Sequence, residues 1–189
     1  MSEGFEFPSD EVPRSDRSAD EGHLMLLVGQ NAEYFRTQWS EILRGNSRRC
    51  GFNKAAFILA GLWIAYRKMY GLALMLWVLI SLETVISDIV FVEVFGREES
   101  PAVYDRLVTF LIALCCGAFG NRLYLRHCCR KLEQVRRLSH GDGEIVDDLL
   151  RNMGGTSIVG SIFVTLLGFG IAFGIWFIYA LVMDAINGV

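Results

Sequence analysis

From Thr156 to Met183 the chain runs for twenty-eight residues without one charged side chain, and no other feature narrows its possible folds so far. As a helix, a run of that length exceeds the roughly 20 residues needed to cross a hydrocarbon core of about 30 Å. The surplus implies a tilted helix, or a first turn that lies outside the lipid. Composition agrees: 52% of the 189 residues are hydrophobic and only 21% are charged. The expected class is an integral membrane protein.

Two further spans are predicted. Residues 71–92, GLALMLWVLISLETVISDIVFV, are long enough to cross despite Glu83 and Asp88. Residues 107–121 form a fifteen-residue run bracketed by Arg106 and Arg122, whose long side chains can snorkel to both interfaces. The stretch AAFILAGLWIAY at 55–66 is different, with only twelve residues between Lys54 and the pair Arg67–Lys68. Fusing it with 71–92 would place two cations at mid-membrane, at roughly 2.5–3.5 kcal/mol each, so a break near 67–71 costs less. Apolar residues point all round this segment, unlike a helix lying on a membrane surface. It is read as an apolar half-helix at 54–66 that dips into the membrane or wedges against the spans.

Residues 1–25 carry seven acids against Arg14 and Arg17, with Pro8 and Pro13, and read as a disordered acidic tail. That tail has neither the basic start of a secretory signal nor the arginine-rich, acid-poor character of a mitochondrial presequence. Helices are expected near 28–45 and over 122–138, the second continuing from the span before it. In it Leu125, Cys128, Leu132 and Val135 alternate at three and four residues, the seam of an amphipathic helix. Lys and Arg concentrate in 36–68 and 122–137, while 93–106 holds two cations against four acids. The bias of cations toward the cytoplasmic side puts both basic segments and the amino terminus inside and the carboxyl terminus outside.

The segment FNKAAFILAGLWIAYRKMY at 52–70 resembles the signature of a domain-of-unknown-function family of small bacterial inner-membrane proteins. In that family a Phe-Asn-x-Ala-Ala-Phe start leads through an apolar stretch with a Trp to Tyr-Arg-Lys-Met-Tyr. Asn31, Tyr34 and Trp39 resemble its lead-in; Asn121 and Tyr124, then Gly154–Ser157, resemble its later landmarks, so the likeness covers about 31–175. Relatives often carry Gly-Pro where this chain has Ala60–Gly61, which implies a helix break there, although the proline is missing here. The resemblance implies a bacterial inner-membrane location and carries no activity with it.

The candidate site residues fall into three groups. Phe52, Asn53, Trp63, Tyr66, Arg67, Lys68 and Tyr70 are read as a cytoplasmic interface signature: Asn53 is a good N-cap for the helix that follows, and the aromatic–cationic cluster at 66–70 suits headgroup level. Its plain role is anchoring; its sharper role is to bind an anionic lipid headgroup or a partner's carboxylate. Glu83 and Asp88 are intramembrane acids, functional candidates because a charge near the bilayer centre is expensive. Five residues turn a helix by about 140°, so this pair alone does not build a two-carboxylate site. Gly160, Gly168, Gly170 and Gly174 stud the third span. Gly170-x-x-x-Gly174 is a close-packing motif, and Gly160 with Gly168 lies on another face, so two sides can accept neighbours.

Several chemistries are set aside. Five cysteines, Cys50, Cys115, Cys116, Cys128 and Cys129, lie in segments assigned to cytoplasm or membrane, where disulfides are not expected, and no C-x-x-C completes a zinc site. The acids after Gly141 do not follow calcium-loop spacing, and Gly154–Ser157 lacks the lysine of a phosphate loop and the spacing of a serine nucleophile turn. Neither enzymatic activity, nor a cofactor, nor a nucleic-acid partner is expected. The fold expectation is all-α: three transmembrane helices, an apolar half-helix and cytoplasmic amphipathic helices. Two functions fit it. One is an interaction or assembly subunit whose partners are anionic lipids and another membrane protein or its own copies. The other is a small proton or cation transport component that uses Glu83 in an oligomer.

Overall fold

The computed structural model describes residues 14–43, 50–97, 100–139 and 143–187. Among these there is no strand, and the chain is all-α as expected. The helices are α1 (Arg14–Val28), α2 (Ala32–Leu43), α3 (Lys54–Leu59), α4 (Gly61–Tyr66), α5 (Tyr70–Asp88), α6 (Ala102–Ser139), α7 (Gly143–Met153) and α8 (Ile158–Asn187), with a π-helical stretch over Ile89–Val94 after α5. Three helices are long and apolar enough to cross a membrane: Tyr70–Val92, Ala102–Ser139 and Ile158–Ile186.

The chain divides into two compact units, each assembled from two separated segments. The first holds the described residues up to Lys54 together with Gly117–Thr156; the second holds Ala55–Cys116 and the described residues from Ser157 onward. In the first unit α1 packs on α2 and α7. In the second, α4, α5 and α8 pack on one another, and the α5–α8 pairing is the most extensive.

Two expectations need correction. The tail read as disordered over 1–25 is helical from Arg14, while residues 1–13 lie outside the described residues. Leu24, Leu27 and Val28, spaced for a single helical face, are buried, and Asp20 and Glu21 of the same helix are paired with arginines. The expected helix at 28–45 is shorter, since α1 ends at Val28 where Gly29 (φ 63°) takes the left-handed conformation and its N–H closes on the Met25 carbonyl at 3.1 Å. Its end at 44–45 falls outside the described residues.

The half-helix at 54–66 is two short helices broken at Ala60, whose φ of 41° no regular helix contains. The break falls where the family resemblance implied one, with alanine bearing the strain that glycine would avoid. α4 then stops at a Schellman turn: the Lys68 N–H bonds the Ala65 carbonyl at 2.9 Å and the Met69 N–H bonds the Ile64 carbonyl at 3.1 Å. Lys68 (φ 59°) stands at the position where glycine is preferred.

The span expected at 107–121 and the helix expected at 122–138 are one helix, α6, that begins five residues before the apolar run. Its seam residues Leu125, Cys128, Leu132 and Val135 are all buried. α5 and α8 run parallel: Tyr70 meets Gly160, and Trp77 meets Gly168 and Phe169. Both helices therefore start from the same side, the arrangement that an intervening return span produces.

Candidate functional site

The polar residues singled out in the sequence fall in both units. In the first, Asn121 is fully buried in α6 and saturates its amide. Its oxygen accepts the Asn53 side-chain N–H at 2.7 Å, and its nitrogen donates to the Gly51 carbonyl at 2.8 Å and to the Tyr34 hydroxyl at 3.3 Å. The Asn121 backbone carbonyl accepts the Trp39 indole N–H at 3.1 Å, and the Asn53 backbone N–H donates to the Gly117 carbonyl at 2.8 Å. Phe35, Trp39 and Tyr124 pack beside it in tilted and edge-on pairs with ring centroids 4.9–5.7 Å apart. Satisfied amides in an apolar surround hold one geometry firmly, because each broken bond leaves a buried group unpaired. This amide clasp was missed in the sequence, where Asn53 was read as a helix cap. The available signal was the presence of Tyr34, Trp39, Asn121 and Tyr124 among the same family landmarks.

The same unit explains the double glycine. α7 ends against the last turn of α1, where the Gly155 N–H donates to the Leu27 carbonyl at 2.8 Å and a Cβ on Gly154 would collide with that carbonyl. Ion pairs tie α1 further, Asp20 to Arg136 and Glu21 to Arg36 at 3.2 Å, and the His23 imidazole lies 3.6 Å from the Asp147 carboxyl. Burial pushes the Cys50 thiol up from its ordinary value, with Arg122 pulling the other way. Beyond the apolar run of α6, His127 is pushed down to about 4 by burial first, then by the charges of Lys131 and Arg130.

The second unit holds the rest of the interface signature, Trp63 and Tyr66–Tyr70. The Tyr66 carbonyl accepts the Ser157 N–H at 3.0 Å, and the Ser157 hydroxyl accepts the Gly160 N–H at 3.0 Å as the N-cap of α8. Ser161 donates to the Leu62 carbonyl at 3.3 Å. The turn between α4 and α5 is thus bolted to the first turn of α8. Trp63 is buried, and so is Arg67, whose guanidinium lies 6.0 Å from the Tyr66 ring centre; Lys68 is half-buried. Arg67 is therefore a packed residue and not a freely solvated anchor.

Glu83 and Asp88 are both half-buried on α5. The Tyr104 hydroxyl, at the head of α6, hydrogen-bonds the Glu83 carboxyl, and the Oε1 atom of Glu83 is buried without a donor among the described residues. Asp88 closes α5 immediately before the π-helical stretch.

The glycines of α8 separate cleanly. Side chains on Gly160 and Gly168 would strike Tyr70 and Trp77 of α5, so those two let the helices approach. A Cβ on Gly170 or Gly174 would meet nothing within 4 Å among the described residues. Phe169, Phe173 and Phe177 are exposed beside them.

An all-helical chain with three crossing-length apolar helices and these buried clasps is a multi-pass membrane protein. The family model described as "Protein of unknown function (DUF2628)" matches residues 17–130, well over half of the chain, and the protein belongs to that family. The match takes in the amide clasp and the 52–70 segment and stops before α7 and α8, short of the 31–175 covered by the sequence resemblance. No curated protein and no solved structure matches this chain.

Proposed function

We propose that the protein is an interaction or assembly subunit of the bacterial inner membrane, with its amino terminus in the cytoplasm and its carboxyl terminus outside. The observation that carries this reading is the division of the α8 glycines. Gly160 and Gly168 are consumed by α5, whereas Gly170 and Gly174 leave a second close-packing face with no occupant among the described residues. A membrane helix gains dispersion contacts at such a face that lipid chains do not match. The partner is another membrane protein or a second copy, and the basic inner segments hold anionic lipid headgroups at about 1 kcal/mol per cation near the surface. The Lys68 side chain fits that role. A non-glycine residue in the left-handed region costs about 1–2 kcal/mol, which is retained where the side chain is needed. The protein works by binding, without catalysis, cofactor or nucleic acid.

A second reading, small-cation or proton transport between assembled copies, draws on the undonated Oε1 atom of Glu83. One experiment separates the two: mass determination in native nanodiscs for wild type, Gly170→Leu and Glu83→Gln. The subunit reading expects a complex that Gly170→Leu takes apart and Glu83→Gln leaves whole. A wild-type chain that stays alone and co-purifies with no membrane protein overturns it. Ion flux in liposomes that Glu83→Gln abolishes while the complex persists moves the assignment to transport.

A further inference from the structure

The part of α6 beyond Asn121 has two longitudinal seams. One, through Leu125, Cys128, Leu132 and Val135, is buried. The other carries Arg122, Arg126, Arg130, Glu133 and Arg137, with the four arginines exposed and Glu133 half-buried. At 100° per residue these five fall within an arc of about 80°, centred about 140° round the helix from the buried seam. Other cations of the same helix are committed inside the unit, Arg136 to Asp20 and Lys131 to the Met153 carbonyl at 3.0 Å. Among the described residues none of the four seam arginines has an acidic partner.

We propose that this arginine seam is a docking surface for an acidic α-helix of a partner protein. The inference deepens the interaction-subunit reading and rests on it. The spacing of four, four, three and four residues is the rhythm at which a second helix lying along α6 meets it, as in paired helices whose flanking charges choose the partner. Along the axis the seam is about 22 Å long. A headgroup layer is only about 5–8 Å thick on one side of a bilayer, and its field fades within about 8–10 Å, so lipid reaches the Arg122 end and not the whole seam. Glu133 selects further: a phosphate backbone meets repulsion there, whereas a partner helix can place one lysine opposite it.

The test uses the full chain in nanodiscs of phosphatidylcholine. The probe is a fluorescent alanine-rich helical peptide with glutamates at the same spacing and a lysine facing Glu133, beside an isomer whose glutamates are spread around the helix. Wild type should bind the first at least about tenfold more tightly than the isomer, and Arg126→Gln/Arg130→Gln/Arg137→Gln should lose about tenfold or more while Arg97→Gln loses nothing. Equal binding of the two peptides, an unaffected triple variant, or a duplex DNA that binds more tightly than the peptide overturns the proposal. So does loss of peptide binding when phosphatidylglycerol is added, since lipid would then occupy the seam. The nanodisc mass of the triple variant is read in parallel. An intact complex with peptide binding gone localises the defect to the seam, and an intact seam with no complex refutes the glycine-face reading alone.

Discussion

The two units are held by opposite means. The first buries large side chains, Trp39, Tyr124, Phe35 and Leu150 among them, around amides whose hydrogen bonds are satisfied. The second leaves Ile158, Phe163, Leu166 and Ile178 exposed and is held by backbone approach at small residues. Water drives the first arrangement, because burying apolar surface is favourable only when water is the alternative. Lipid removes that drive, and what remains is close packing and hydrogen bonding. One chain thus carries a core built for water and a bundle built for hydrocarbon.

The sharpest way to break this comparison is at Asn121. Asn121→Ala removes three side-chain bonds and strands the Asn53 amide and the Gly51 carbonyl in an apolar surround, at about 3–5 kcal/mol in total. Hydrogen exchange should report opening of α1, α2 and α7 while α5 and α8 keep their protection; equal loss in both sets would contradict the division into units.

Next in size is Gly160→Ala, which drives a methyl group into the Tyr70 hydroxyl and should cost about 1–3 kcal/mol in the second unit. Pairing it with Tyr70→Ala should restore much of the loss in a detergent thermal melt, and Gly170→Ala should leave the melt unchanged.

A smaller gain is expected from Lys68→Gly. Relief of the left-handed strain should stabilise the chain by about 1 kcal/mol, while retention on phosphatidylglycerol-containing liposomes weakens. A variant that melts earlier and binds as before would remove Lys68 from the lipid-binding role.

The smallest effect is absent at neutral pH. His127 titrates at about 4 in the fold against an ordinary value of 6.5. The unfolded chain therefore takes up a proton first as pH falls, and the stability present above 6.5 is lost between 6.5 and 4. His127→Gln should flatten that slope in urea titrations of the first unit, and a slope that stays unchanged would assign it to other groups.

Much of the second unit was readable because lipid writes a coarse code. Apolar run length gave α5 and α8 to within a few residues; in the first unit, the three-four alternation from Leu125 to Val135 likewise gave the buried seam of α6. Less could be read where structure depends on partners far away in sequence. The acids of α1 resemble a solvated tail until Arg136 and Arg36 arrive to pair with them. Asn53 looks like a helix cap because its true partner lies 68 residues later. The glycines of α8 could be assigned to two faces by period alone, but which face the chain itself uses depends on Tyr70 and Trp77.

The discontinuity of the first unit also sets a schedule. Trp39 waits 82 residues for the carbonyl that accepts its N–H. At the usual pace of synthesis, about 5–20 residues per second, that interval is roughly 4–16 s. For its duration Trp39 and Phe35 lack their α6 partners, the Asn121 carbonyl and the Tyr124 ring. Closure of this unit is therefore a late event, which waits until α6 has been made as far as Asn121.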